Sequence, residues 1–367
     1  MTRVAIVHER FTEATGSEQV VEQLHRYWPD APIYAAIIDH SAVPSGLRDA
    51  ELRPSRLQRR YRGGADYARL LPWLPGAFAH LDLNGFDLVI TSHHAFANRV
   101  RPPPSVPVIS YTHSPARWIW DPTLRAGERG GRLGEAALAL FSATQRRPDR
   151  AAAGRLAGVV ANSTTVADRV RRWWRRDAMV VHPPVDLNWF TPGSPAREDF
   201  FLLVGRLVPY KQPLIAVEAA QRAGVRLVVA GSGRQRPAVE RLAGDGVEIL
   251  GPVDSDTLRD LYRRCAALVF PGVEDFGLVP VEAQACGVPV LARRVGGVLD
   301  TVIDGVTGRL YDAGSDPVDR LATELRLFDP SYFKPEVIRR HAEQFSPERF
   351  RSQLGESCAR ILGTAPG

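Results

Sequence analysis

Phe201-Leu202-Leu203-Val204-Gly205-Arg206-Leu207-Val208-Pro209-Tyr210-Lys211 is the stretch that decides the fold. The apolar run Phe201–Val204 reads as a buried strand that breaks at Gly205 and delivers Arg206 and Lys211 to its carboxyl end. In open parallel sheets, ligands bind outside that end. Two cations there suit a diphosphate, Arg as a planar fork and Lys as a point charge. The chain has 47 Lys+Arg, yet lysine occurs only at Lys211 and Lys334. A sequence that otherwise uses arginine has kept lysine here, although Lys334 has no such explanation.

Working outward, strand and helix patterns alternate. After Phe201–Val204 come a helix over Pro213–Ala223, a strand Val225–Val229 and a helix Arg236–Ala243. A strand Val247–Leu250, a helix Asp256–Arg264, a strand Ala267–Phe270, a helix Val279–Ala285 and a strand Val288–Ala292 follow. The first half shows apolar strands at Val4–Val7, Asp87–Ile90, Val106–Tyr111 and Gly158–Ala161, with an amphipathic helix over Ser17–Tyr27. Such alternation predicts α/β architecture with parallel sheets covered on both faces. The Pro-rich, polar segment Pro183–Glu198 reads as the linker, and Ser346–Leu362 as a terminal helix with a serine cap and Pro at N1. The domains expected are 1–187, completed by the helix at 346–367, and 188–345.

Glu274-Asp275-Phe276-Gly277-Leu278-Val279-Pro280-Val281-Glu282 carries the chemistry. A turn ending in Gly277 lets backbone approach a ligand closely, and the helix after it points free N–H groups at an anion. Glu282 lies roughly 6 Å along that helix, within reach of a ribose. Glu274, on the loop side, can reach a sugar's hydroxyls.

Together, Gly-Arg-x4-Lys and Glu-x-Phe-Gly-Leu-x3-Glu resemble the retaining nucleotide-sugar glycosyltransferases of family 4. Agreement extends through Val229–Gly233, Gly251-Pro252-Val253, Leu261-Tyr262, Ala285–Val290, Gly296-Gly297 and Asp304–Gly308, most of residues 200–312. The first half is looser: Val4–His8, Tyr111–Arg117, Ala161–Ser163 and His182–Asp186 are most similar to a subgroup containing mannosyltransferases of bacterial O-antigen assembly. The resemblance implies the GT-B fold, two Rossmann-like domains with parallel sheets facing a central cleft that closes over substrate. It implies retention by front-face attack, a GDP-mannose-like donor and a hydroxyl acceptor.

In that reading Arg206, Lys211 and the amides after Gly277 stabilise the departing diphosphate, pre-positioned donors being worth on the order of 10²–10³ in rate each. Glu274 orients the sugar and Glu282 binds the ribose. His113 sits where the family places a histidine near the donor sugar. Val253, Phe276, Gly277 and Leu278 complete the donor contacts. Gly16 is expected to offer its N–H, with Thr15 where the family has its first glycine. A residue with a Cβ tolerates positive φ poorly there. No cofactor is expected beyond the nucleotide-diphospho-sugar substrate.

Composition bounds these readings. At 367 residues, with 44% hydrophobic and 24% charged residues, the chain suits two globular domains. No apolar run reaches the ~20 residues of a membrane span, and Arg3 to Val7 enters a strand at once, so a cytoplasmic enzyme without a signal peptide is expected. The 3 cysteines, Cys265, Cys286 and Cys358, lack metal-ligand spacing and read as buried thiols. A net charge of +6 fits anionic ligands or an anionic membrane surface.

Other motifs have plainer readings. Asp254-Ser255-Asp256 matches a metal-binding D-x-D, but it precedes a helical run where Asp is a good cap, so no essential metal is expected. Gly231 and Gly233 read as a tight strand–helix turn, and His93-His94 as loop residues. Arg56–Leu83 reads as an acceptor-binding or membrane-surface segment, the source of possible peripheral membrane contact, or equally as a solvated helical pair over the core. Val170–Arg176 reads as a surface helix with a buried side rather than a nucleic-acid contact. Two rival functions stand: a nucleotide-sugar epimerase, for which Glu9, Glu13 and Glu18 are the only early acid/base candidates, and an inactive sugar-nucleotide-binding partner.

Overall fold

Short apolar runs build two parallel sheets in this computed structural model, which describes residues 2–13, 16–122, 131–193 and 197–364. The chain divides into two compact units, Met1–Pro184 with Glu348–Gly367, and Val185–Pro347.

In the first unit, β1 (Val4–His8), β2 (Ile33–Ala35), β3 (Leu52–Pro54), β4 (Leu88–His93), β5 (Val108–Thr112), β6 (Gly158–Ala161) and β7 (Met179–Val180) form a sheet in the order β3-β2-β1-β4-β5-β6-β7. Every residue of β1, β4, β5 and β6 is buried, the signature of strands covered on both faces. One face packs Ile6, Leu24, Ile90 and Tyr111 with Phe350 and Leu354 of the terminal Pro347–Leu362 helix. The other packs Val7, Phe78, Val89 and Trp174.

In the second unit, β8 (Phe201–Val204), β9 (Leu227–Ala230), β10 (Val247–Gly251), β11 (Ala267–Phe270), β12 (Val290–Arg293) and β13 (Gly308–Tyr311) take the order β10-β9-β8-β11-β12-β13. All pairs in both sheets are parallel. Strand order therefore reverses between β1 and β4 in one unit and between β8 and β11 in the other, the switch points where such sheets bind ligands.

Several sequence readings change, among them the strand expected over Val106–Tyr111, which runs Val108–Thr112. His93 ends β4 and is fully buried, so it is a strand residue. The strand expected at Val225 begins at Leu227, because Val225 still bonds back to Ala220 at the end of the preceding helix. The strand expected from Val288 begins at Val290, because the Val288 N–H still bonds to Ala283.

Arg56–Leu83 folds as 3-10 turns and a short helix that bury Leu57, Leu70, Leu74, Phe78 and Leu83, leaving Trp73 51% exposed. In Val170–Arg176, Val170 and Trp174 are buried, the latter donating its indole N–H to Asp149 at 2.7 Å. The cysteines are free and buried, and burial pushes the Cys286 and Cys358 thiols up to about 12. Among the described residues, no helix is long and apolar enough to cross a membrane.

Candidate functional site

The switch point of the second sheet gathers most of the expected site. β8 ends at Val204, and the Gly231 turn after β9 comes so close that a Cβ there would meet the Gly205 carbonyl oxygen at 2.0 Å. That packing supports the tight-turn reading of Gly231. Arg206 is exposed and donates to the Tyr210 hydroxyl at 3.1 Å. The Val273 N–H bonds to the Tyr210 carbonyl at 3.1 Å, tying the loop after β8 to the loop after β11.

That tie brings Lys211 and Glu274 together. Lys211 Nζ lies 2.6 Å from Glu274 Oε1, with side chains only 17% and 18% exposed. At that distance the contact is a close, charge-assisted ion pair that uses one of the lone pairs of Glu274 Oε1. A carboxylate oxygen in such surroundings keeps acceptor capacity that a hydroxyl would satisfy.

Behind this pair, Gly277 adopts φ +91°, the left-handed region that glycine enters without a Cβ penalty, and opens the Leu278–Ala285 helix. Pro280, in the first turn, has no N–H, so the helix start offers the amides of Gly277, Leu278 and Val279 to an anion. The Phe276 ring is buried edge-on against Phe345 at 5.6 Å and anchors the turn. The Gly297 N–H, bonded to the Glu274 carbonyl at 2.9 Å, holds it from the β12 side.

Glu282 is half-buried on this helix and accepts from the buried Tyr262 hydroxyl at 2.9 Å. Burial pushes its carboxyl up to about 7; the Tyr262 bond and the Lys211 charge oppose the rise, and the Glu274 charge adds to it. Tyr262 stands in the family-like sequence pattern, but nothing in the sequence assigns it a partner. Val253, half-buried, packs against the same core.

Asp254 caps the Ser255–Arg264 helix, accepting from the Thr257 N–H at 2.8 Å, which holds its carboxyl below the usual range. Asp256 pairs with Arg259 at 2.7 Å. Among the described residues, no group of three or more His, Cys, Asp or Glu side chains could hold a metal ion.

The remaining expected residues lie in the first unit. Gly16 is the first residue of the Gly16–Tyr27 helix, and Thr15 lies outside the described residues. His113 follows β5 and its Nε2 lies 2.8 Å from Ser92 Oγ on β4. Sequence reasoning gave no role to Ser92 or His8, which come together only through the sheet. Glu9, an epimerase candidate, is buried and its Oε1 accepts the N–H groups of His94, Ala95, Phe96 and Ala97 at 3.3, 2.8, 2.6 and 2.7 Å.

Comparisons with known proteins agree with this placement. Residues 14–189 match the family model "Glycosyltransferase Family 4", and residues 188–328 match "Glycosyl transferases group 1". The D-inositol 3-phosphate glycosyltransferase of Mycolicibacterium smegmatis is 40% identical over 193 residues, 46% of this chain and 44% of that protein. The enzyme of that name from Mycobacterium bovis is 38% identical over 213 residues, 50% of this chain and 44% of that protein. The matched region is thus less than half the length of these relatives.

Among solved structures, Anabaena Alr3699/HepE in complex with UDP and glucose has a TM-score of 0.73 at 19% identity, covering 98% of this chain and 100% of that one. Sucrose-phosphate synthase from Thermosynechococcus elongatus has a TM-score of 0.72 at 20% identity, covering 98% and 99%. At such identities the likeness concerns fold, and the fold is GT-B.

Proposed function

The chain is built from a Family 4 and a group 1 glycosyltransferase domain, and from that premise we propose that it transfers a sugar from a nucleoside-diphospho-sugar to a hydroxyl acceptor with retention of anomeric configuration. One observation carries the reading: Lys211 and Glu274, 2.6 Å apart, stand at the switch point of the second sheet beside the helix start at Gly277. A diphosphate there meets the Lys211 ammonium, Arg206 and the helix amides, so the leaving charge is stabilised where it develops. Glu274 Oε1 accepts a sugar hydroxyl, and Glu282 accepts from the ribose.

Only one carboxylate of this group lies on the sugar side, whereas double displacement uses two flanking the bond. Front-face attack, with the departing phosphate taking the acceptor's proton, fits this set. The diphosphate's charge is met by cations and amides, and the reaction is proposed to need no metal. A GDP-mannose-like donor is proposed first, on the first half's resemblance to the mannosyltransferase subgroup, and an acceptor in polysaccharide, glycolipid or natural-product assembly. The enzyme is proposed to work in the cytoplasm, at the inner membrane face if its acceptor is lipid-linked.

The test is calorimetric titration with GDP, UDP and dTDP, followed by product analysis with the matching sugar and a panel of acceptors. Transfer with retained configuration supports the proposal, and an epimerised sugar formed without acceptor sinks it. The epimerase alternative is weakened by Glu9, whose Oε1 is occupied by backbone N–H groups.

A further inference from the structure

The segment that follows β3 in the first unit has two faces of opposite character. Leu57, Leu70, Leu74 and Phe78 are buried in the core under the sheet. On the outside, Arg56, Arg59, Arg60 and Arg62 are all exposed. Among the described residues none of these four has a carboxylate partner. By contrast, Arg53 just before them is pinned to Glu51 at 2.7 Å, and Arg171, Arg222 and Arg259 hold Asp168, Glu218 and Asp256. Over Arg56–Ala79 the sequence has five arginines against one acid, Asp66.

The chain then carries no charge from Leu70 to Ala79. Within that stretch Trp73 is 51% exposed, and the Arg60 guanidinium lies 5.6 Å from its ring centroid. Pro72 and Gly76 beside it are exposed as well. Like charges gathered without counter-charges, and a large ring left half in water, both cost free energy. A partner that supplies anions and takes the ring out of water removes both costs.

Exposed cations on surface turns give little enclosure to a small anion, so an extended array of anions fits them better. Trp73 and its neighbours decide which array. An uncharged apolar lip beside arginines suits the boundary between lipid headgroups and acyl chains, where an amphipathic ring settles. We propose that Arg56–Ala79 docks this unit on an anionic bilayer, with the arginines on lipid phosphates and Trp73 at the acyl boundary. The proposal deepens the transferase reading and rests on it for the acceptor alone: a docked enzyme meets a lipid-linked hydroxyl in the plane of the membrane.

The test is co-sedimentation of the full chain with vesicles of phosphatidylcholine, with and without phosphatidylglycerol. Binding is expected only with phosphatidylglycerol and should be lost at about 1 M salt, where charge acts over only ~3 Å. Arg59→Gln, Arg60→Gln and Arg62→Gln together should weaken it on the order of a hundredfold, about fivefold for each arginine. Trp73→Ala should weaken it roughly tenfold, the worth of one large apolar side chain. Brominated phosphatidylglycerol should quench part of the tryptophan fluorescence, and that part should vanish in Trp73→Phe. Arg171→Gln, Arg172→Gln and Arg175→Gln together remove the same charge from another surface of this unit and should leave binding within twofold. Equal binding to phosphatidylcholine alone overturns the proposal, as does equal loss in both triple variants. So does tighter binding to a single-stranded oligonucleotide than to the vesicles, or quenching that Trp73→Phe leaves unchanged. Failure of the transferase reading looks different: the vesicles bind as stated, and no donor is turned over.

Discussion

The Tyr262 hydroxyl donates to Glu282 Oε2 at 2.9 Å, so the carboxylate proposed to hold the ribose is anchored from inside the domain. With its carboxyl pushed up to about 7 by burial, Glu282 titrates in the working range of an enzyme. Ribose hydroxyls donate best to the ionised form. Affinity for the intact nucleotide sugar, whose diphosphate diester does not titrate there, should fall as pH drops through about 7. Tyr262→Phe removes a bond that lowers this value, so the midpoint should move up; calorimetry from pH 6 to 9 measures both. Stability carries the opposite sign. Between 4.5 and about 7 the folded carboxyl holds a proton that the unfolded one releases, so its contribution falls as pH rises through that window.

Glu274→Ala removes the proposed sugar-side acceptor and leaves the cations in place. Transfer should be abolished, with nucleoside-diphosphate affinity within a few-fold of wild type. Transfer that survives the substitution contradicts the role given to Glu274.

Lys211→Ala takes away the ammonium now held 2.6 Å from Glu274. Single-turnover rates should fall on the order of 10²–10³-fold, the loss expected for one pre-positioned donor. Nucleoside-diphosphate affinity should drop as well, because Lys211 is proposed to meet the phosphates in the ground state.

Gly297→Ala tests space alone, since Gly297 has φ −66° and tolerates a side chain conformationally. An added Cβ would lie 2.2 Å from Phe276 Cα and 2.4 Å from the Asp275 carbonyl oxygen. The Glu274–Gly277 turn must shift, and donor affinity should fall more than tenfold. A variant that binds donor normally argues that the turn does not carry the site.

Exhaustive chelation should leave transfer intact, with Asp254 acting as a helix cap. Asp254→Ala should lower the melting temperature slightly and spare the rate. Loss of activity on chelation, restored by a divalent cation, would return Asp254 and Asp256 to the site.

Much of the second domain was legible because its strands are short, mostly apolar and separated by helices of ordinary length. Phe201–Val204 and Ala267–Phe270 have the extents that their sequences predict, as does Gly158–Ala161 in the first domain. β2, β3 and β7 were not, being only two or three residues long. His93 read as loop because histidine carries no strand signal; burial between strands puts it in β4. In the site, residues joined through local sequence, such as Glu274 and Gly277, were visible. The His8–Ser92 contact spans 84 positions, and only the pairing of β1 with β4 creates it.

The terminal Pro347–Leu362 helix places Phe350, Leu354 and Cys358 in the core beside β1, with Phe350 edge-on to Tyr111 at 5.5 Å. The first domain to leave the ribosome is thus the last to be finished. The second domain can close on itself once residue 347 has emerged, while the first keeps an uncovered apolar face until residue 358 follows. For that interval of synthesis the nascent chain exposes sticky surface of the kind that chaperones shield, and a chain truncated before Phe350 would make the exposure permanent.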